Sequence, residues 1–219
     1  MSSPLYVFDM DDTLINGDCA MLFNAFLVEK GVVTQADFLK EDQRLMQLYA
    51  QGKLNMASYL QFAMAPLADL SVEQVHALVE ECLHTKILPK QFAQSKALLA
   101  QLDRDGIDRV IISASVTFLV EAVGCHLGIP DALGIDLVTA HNRYTATIAG
   151  VPSYREGKVA RLEAWLNAQS TDYSAIHFFT DSINDLPLCQ YADYVYLVNP
   201  CSRLRAQADQ PNWTILSWR

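Results

Sequence analysis

Four short runs of aliphatic, aromatic and β-branched residues punctuate the chain: "LYVF" at 5–8, "RVIIS" at 109–113, "IHFFT" at 176–180 and "YVYLV" at 194–198. Each is apolar at consecutive positions and is bounded by polar residues, Gly or Pro. Continuous apolarity over so short a length predicts strands buried on both faces, as in a parallel sheet. Between them, apolar positions recur at helical spacing. "PKQFAQSKALLAQLDRDG" (89–106) stops at Gly106, and "SYREGKVARLEAWLNAQ" (153–169) opens on Ser153, a helix-capping residue type. Strand alternating with helix predicts an α/β fold, a doubly wound parallel sheet.

Two intervals break that rhythm. Residues 16–86 contain no strand pattern but several helical ones: "AMLFNAFLVEKG", "QADFLKEDQRLMQLYAQG", "MASYLQFAMAPL" and "SVEQVHALVEECLH", the last opening on Ser71 with Glu73 following. A helical subdomain inserted after the first strand is expected there, with 1–15 and 87–219 forming the core. In 133–151, "LGIDLVTAHNRYTATIAGV", the "HNR" joins two short alternating runs, which predicts a β-hairpin projecting from the sheet.

Composition narrows the function. Of 219 residues, 51% are apolar and 19% charged, enough to bury a large core and too few charges for wholesale disorder. A net charge of −9 without clustered Lys and Arg argues against nucleic-acid binding. No stretch approaches the roughly 18 consecutive apolar residues of a membrane span, and "MSSPLYVFDM" lacks the basic region of a signal peptide. The five cysteines are scattered with no Cys-x-x-Cys pair, which suits free thiols in a reducing cytoplasm. The five histidines show no ligand spacing along the chain.

In such a sheet, ligands bind beyond the carboxyl ends of the strands. The first strand is followed by Asp9, Asp11, Asp12 and Thr13, and the second ends at Ser113 in "IISAS". The strand at 176–180 runs into "DSINDLP", with Asp181, Asn184 and Asp185, and Lys158 lies near the start of the 153–169 helix. Carboxylates, a hydroxyl and an ammonium on one rim suit phosphoryl transfer. Asp9 and Asp181 supply hard oxygen ligands to Mg²⁺, a carboxylate can attack phosphorus, and Asp11, two residues on and facing the same way, can move protons. Ser113 and Lys158 would hold the phosphoryl oxygens.

Together, "DMDDTL", the Ser of "IISAS", Lys158 in "EGKVARL" and "DSINDLP" resemble, in order and spacing, the four motifs of the haloacid dehalogenase superfamily of phosphatases. The helical insertion and the trailing "YADYVYLVNP" look most like its phosphoserine-phosphatase-like branch, many close members of which are called histidinol-phosphatases. The resemblance implies a Rossmannoid core with a helical cap that closes over a small phosphorylated metabolite. It implies Asp9 as nucleophile and Asp11 as general acid/base. It gives Mg²⁺ to Asp9, the Asp11 carbonyl and Asp181, with Asp185 in support. Thr13 would order the acid/base loop, and Ser113, Lys158 and Asn184 would contact phosphate; Asp12 is left out of catalysis.

The departures from that branch bear on substrate. Its Glu after the first motif, which holds the substrate ammonium, falls on Asp18 here, and its cap Arg, which holds the carboxylate, falls on Ala63. An ester with an amine and no carboxylate, such as histidinol phosphate, is therefore expected over free phosphoserine. Arg44 on a neighbouring helix is the residue that would reverse this expectation. Thr180 and Ser182 flank Asp181 where glycines are usual.

Other functions fit less well. A dehalogenase of this fold needs no aspartate at position 11. A phosphotransferase would use the same residues. A receiver-type signalling domain also clusters Asp, Ser/Thr and Lys around Mg²⁺, but is nearer half this length and lacks a helical insertion.

Overall fold

A computed structural model describes residues 3–219 of the chain. Its centre is β1 (Leu5–Phe8), flanked on one side by β2 (Arg109–Val116) and β3 (Asp131–Ile135), and on the other by β6 (Ile176–Thr180), β7 (Tyr194–Val198) and β8 (Trp213–Leu216). The order is β3-β2-β1-β6-β7-β8 and every pairing is parallel. The pleat sends alternate residues to opposite faces. Phe8, Ile111 and Phe179 enter one apolar layer, and Val7, Val110, Ile112 and Phe178 enter the other. Both layers are covered, which explains why these runs are apolar at consecutive positions.

The first layer is completed by α5 (Ala93–Arg104) and α6 (Thr117–Leu127), through Leu99, Leu102, Phe118 and Val123. The second takes Leu162 from α7 (Glu156–Ala168), Leu188 from α8 (Leu186–Tyr191) and Leu204 from α9 (Ser202–Arg205). The fold is a doubly wound parallel α/β sheet.

Several boundaries differ from the sequence reading. β2 runs on to Val116 because β3 lies beside it, with Val116 opposite Ile135. The hairpin read over 133–151 is thereby divided: residues 133–135 belong to the main sheet, and only β4 (Leu137–Ala140) and β5 (Arg143–Ile148) pair antiparallel. Gly134 permits this, since a Cβ there would lie 2.6 Å from the Thr117 Cα. The turn at "HNR" holds, with His141 and Asn142 both at positive φ (50° and 59°). β8 went unread because an edge strand with Thr214 and Ile215 exposed has no continuous apolar run. α7 begins at Glu156, and Ser153 does not cap it; Ser153 is buried and its hydroxyl donates to the Ser113 carbonyl. Gly157 lets that helix start where it does, because any Cβ would overlap the Pro152 carbonyl oxygen.

Between β1 and β2 lie α1 (Cys19–Glu29), α2 (Phe38–Ala50), α3 (Met56–Met64) and α4 (Val72–Cys82), the last continuing into a π-helical turn, Leu83–Ile87. Asp18, Asn55 and Ser71 cap α1, α3 and α4. The capping box on α4 is completed by Gln74, while Glu73 accepts from the Ser71 hydroxyl at 2.7 Å. Phe23, Phe26 and Leu27 of α1 and Val75 and Val79 of α4 join the same apolar layer as Phe8 and Phe118. Leu45, Met56, Tyr59 and Leu60 pack with Ile135 in a smaller cluster. No helix is long and apolar enough to cross a membrane among the described residues.

A buried polar pair joins α1 to α2: Asn24 Nδ2 donates to Asp42 Oδ1 at 3.0 Å. Burial pushes the Asp42 carboxyl up to about 6, the Asn24 bond opposing and the charge of Asp18 adding. A carboxyl raised in the folded state contributes stability that is fully present below its unfolded value, about 3.9, and is lost as pH rises through about 6. Asp42→Asn keeps an acceptor for Asn24 and removes the titration. Urea unfolding should find the two chains similar at pH 4 and the variant ahead by about 2 kcal/mol at pH 7; a difference independent of pH would contradict this.

Candidate active site

The carboxyl ends of β1, β2 and β6 and the first turn of α7 converge on one point. Asp9, the first residue beyond β1, continues the ladder by donating its N–H to the Phe179 carbonyl at 2.9 Å. Lys158 reaches it from α7: Nζ is 2.9 Å from Asp9 Oδ1, and 2.7 and 2.9 Å from the two oxygens of Asp185. The three side chains are buried, Lys158 and Asp185 to 1% exposure. Thr180, at the end of β6, donates its hydroxyl to Asp185 at 2.7 Å and so fixes the second carboxylate.

Asp11 is held separately. Its Oδ1 accepts the Cys19 N–H at 2.7 Å, and its Oδ2 accepts the Ser115 hydroxyl at 3.1 Å and, at 3.5 Å, that of Ser113. Ser113 lies behind Asp11, also accepting the Ser115 N–H, while Ser115 reaches the cavity wall. Ser115 was missed in the sequence, although its place two residues after Ser113 on a strand puts both on one face. The Asp181 carboxylate has no hydrogen-bond or ion-pair partner among the described residues.

One buried ammonium does not balance this many acids. Burial raises Asp9 to about 7, with Lys158 opposing and Asp185 adding. Asp11 is raised to about 8 by burial and by the charges of Asp18 and Asp9. Asp181 stands well above the usual carboxylate range through burial and then Asp9, Asp12 and Asp185. For Lys158, burial alone would lower the value, but Asp185 and Asp9 more than offset it and hold the ammonium charged. The donors are all hard oxygens, and the partnerless Asp181 carboxylate faces the same cavity as Asp9 and Asp11. This set fits a divalent cation such as Mg²⁺.

A cavity of about 300 Å³ opens above the carboxylates, walled by α1, α2 and α3. Asp9, Asp11, Asp12, Asp18 and Asp181 form its acidic side. Met46, Leu54, Met56, Leu60 and Met64 form an apolar one. Among the described residues no Lys, Arg or His lines it, and Ala63 does. Arg44 points elsewhere, held on the exposed side of α2 by Glu41 at 2.7 Å. Asp18 both caps α1, accepting the Met21 N–H at 2.8 Å, and faces the cavity. Tyr49 and Tyr59 also line it, Tyr59 with a buried hydroxyl that has no partner. Both tyrosines sit in apolar helical stripes and gave no sequence signal.

The remaining site residues lie to the side. Thr13 is fully buried beneath the loop, its hydroxyl unpartnered. Asn184 donates to the Tyr49 carbonyl at 2.9 Å and lines a second cleft with Arg155 and Arg203. Asp12 takes a positive φ of 50°, a conformation Asp tolerates better than most residues.

Residues 6–190 match the family described as haloacid dehalogenase-like hydrolase. The chain is 32% identical over 220 residues to a histidinol-phosphatase of Neisseria meningitidis serogroup C (strain 8013), covering 98% of this chain and 99% of that protein. Among solved structures, a protein of unknown function from Bordetella pertussis Tohama I is 27% identical with a TM-score of 0.89 over 99% of both chains. A phospho-aspartyl intermediate analogue of phosphoserine phosphatase, 20% identical, shares the fold at a TM-score of 0.69 over 95% of this chain and 92% of that one.

Removing the ammonium should expose what it balances. In metal-free buffer, Lys158→Met is expected to lose about 3–5 kcal/mol at pH 8, where two buried carboxylates are left unpaired. At pH 5, below the raised value of Asp9, the loss should be smaller, because protonation replaces the missing charge. Denaturant unfolding at the two pH values checks this; equal losses would argue against it.

Proposed function

This chain belongs to the haloacid dehalogenase-like hydrolases, and we propose that within that family it is a Mg²⁺-dependent phosphatase acting on a small phosphate monoester through an aspartyl-phosphate at Asp9. The observation that carries this is the Asp9–Lys158–Asp185 bridge, set beside Asp11 and the partnerless Asp181 at one sheet edge. Lys158 occupies one oxygen of Asp9 and leaves the other to attack phosphorus. As the new P–O bond forms, the ester P–O bond breaks, and Asp11 gives its proton to the departing oxygen. Burial and the neighbouring carboxylates raise its carboxyl, which favours the protonated form that this step needs. Asp11 then takes a proton from water, whose oxygen attacks the phosphoryl group and frees Asp9.

Ser115, now on Asp11 and at the cavity wall, and Lys158 donate to the phosphoryl oxygens in the loaded site, while Ser113 accepts the Ser115 N–H and positions it from behind. Thr13 lies buried beneath the loop carrying Asp11, and Asn184 holds the site's outer edge to α2. Asp9, the Asp11 carbonyl and Asp181, with Asp185 in support, would hold Mg²⁺, which would supply neutralising charge to the transferring group.

The cavity selects the rest of the substrate. Asp18 offers a carboxylate to an amine, the methionines accept an apolar body, and no cation in the lining can pair a substrate carboxylate. Such a carboxylate would be buried unpaired, at a cost of several kcal/mol. Histidinol phosphate fits these terms, in keeping with the name of the Neisseria relative.

Phosphate release across a panel of phosphorylated metabolites with Mg²⁺ tests the reading. kcat/KM for histidinol phosphate should exceed that for phosphoserine by at least about 100-fold, and Asp9→Asn should reduce both by at least about 1,000-fold. Asp18→Asn, which still caps α1, should weaken the amine ester more than an uncharged one. Full activity in Asp9→Asn would sink the mechanism, and comparable kcat/KM for the two esters would sink the substrate assignment.

A further inference from the structure

Two histidines far apart in the sequence meet on the surface where α4 approaches α6. Glu80 lies on α4, His84 follows one turn later in the π-helical turn 83–87, and His126 sits in the last turn of α6. Glu80 Oε2 is 3.7 Å from His84 Nε2 and 3.6 Å from His126 Nε2. The two rings stand nearly perpendicular, 84° apart, with centroids 4.8 Å from each other. One donor atom from each residue falls within 4.8 Å of the other two.

The atoms that face inward are the ones a metal uses. His126 Nδ1 lies 3.0 Å from the Ala122 carbonyl. An Nδ1–H donated there leaves the Nε2 lone pair aimed at Glu80, the support that metal-binding imidazoles characteristically have. A tetrahedral ion with bonds of about 2.0–2.1 Å separates its ligand atoms by roughly 3.3–3.4 Å. The carboxylate–imidazole spacings already come within a few tenths of an ångström of that. A small rotation of the exposed His84 ring closes the third side, and water completes the fourth position.

We propose that Glu80, His84 and His126 form a binding site for a Zn²⁺-class divalent ion, joining the helical block to the core. Two imidazoles and one carboxylate suit Zn²⁺, Ni²⁺ or Cu²⁺, whereas Mg²⁺ takes oxygen ligands. This site is therefore chemically distinct from the all-oxygen set around Asp9. α6 follows directly on β2, which carries Ser113 and Ser115, and α4 closes the helical insertion. An ion bound here pins those two elements together.

The test is a Zn²⁺ titration of the full chain against a chromophoric chelator, with saturating Mg²⁺ present for the carboxylate site. The wild type should bind Zn²⁺ at least 10-fold more tightly than His84→Asn or His126→Asn. Cys125→Ser, which removes the exposed thiol beside His126, should bind as the wild type does. Zn²⁺ should also raise the thermal midpoint of the wild type and not of either His variant, whose midpoints without Zn²⁺ should be unchanged. Undiminished affinity in either His variant, or loss of binding in Cys125→Ser, would overturn the site. Neither readout uses catalysis, so the outcome is independent of the proposed phosphatase activity.

Discussion

The ammonium of Lys158, closed off from solvent between Asp9 and Asp185, is the interaction on which the rest of the site depends. It ties α7 to the ends of β1 and β6, three elements widely separated in the chain. Buried ion pairs are poor sources of net stability, because desolvation takes back most of the attraction. What this one does is hold the Asp9 side chain at the end of the central strand in a fixed orientation. The features around it serve the same end: Gly157 lets α7 start close to the sheet, and Thr180 orients Asp185.

The helical block completes the site from above. Besides the apolar packing of α1 and α4, it is clasped to the core at the C-terminal end of α2, where backbone carbonyls lack helical partners. Asn184 donates to Tyr49, Arg155 to Gly52 and Arg203 to Ala50. Cations and amide donors at a helix C-terminus also meet the negative end of its dipole. Gly52 is suited to its place by a positive φ of 68° and by the Arg155 guanidinium packed against its Cα. Arg155 and Arg203 are thus spent on the clasp and Arg44 on the surface, and the cavity keeps an uncompensated acidic side.

Much of this was legible in one dimension. A parallel sheet buried on both faces forces consecutive apolar residues, so β1, β6 and β7 could be read to the residue. Asp9, Asp11, Asp181 and Lys158 stood out because acids and a lysine beside buried strand ends need an explanation. Ser153 was misread as a cap because a serine before an apolar periodic stretch looks the same whether its hydroxyl turns to its own helix or to the Ser113 carbonyl. Residues 133–135 were assigned to a hairpin because alternation alone does not say which neighbour a strand will find.

Local chemistry therefore determined the fold class, the strand ends and the acidic cluster, since each follows from the burial and spacing of near neighbours in the chain. Tertiary structure alone decided that Ser115 rather than Ser113 reaches the cavity, that Arg44 does not, and that Asp18 caps a helix while facing the pocket. It also brought His84 to His126 across two helices. The reason is the same in each case: a side chain's identity is written locally, but its direction and its partners depend on which distant element packs against it.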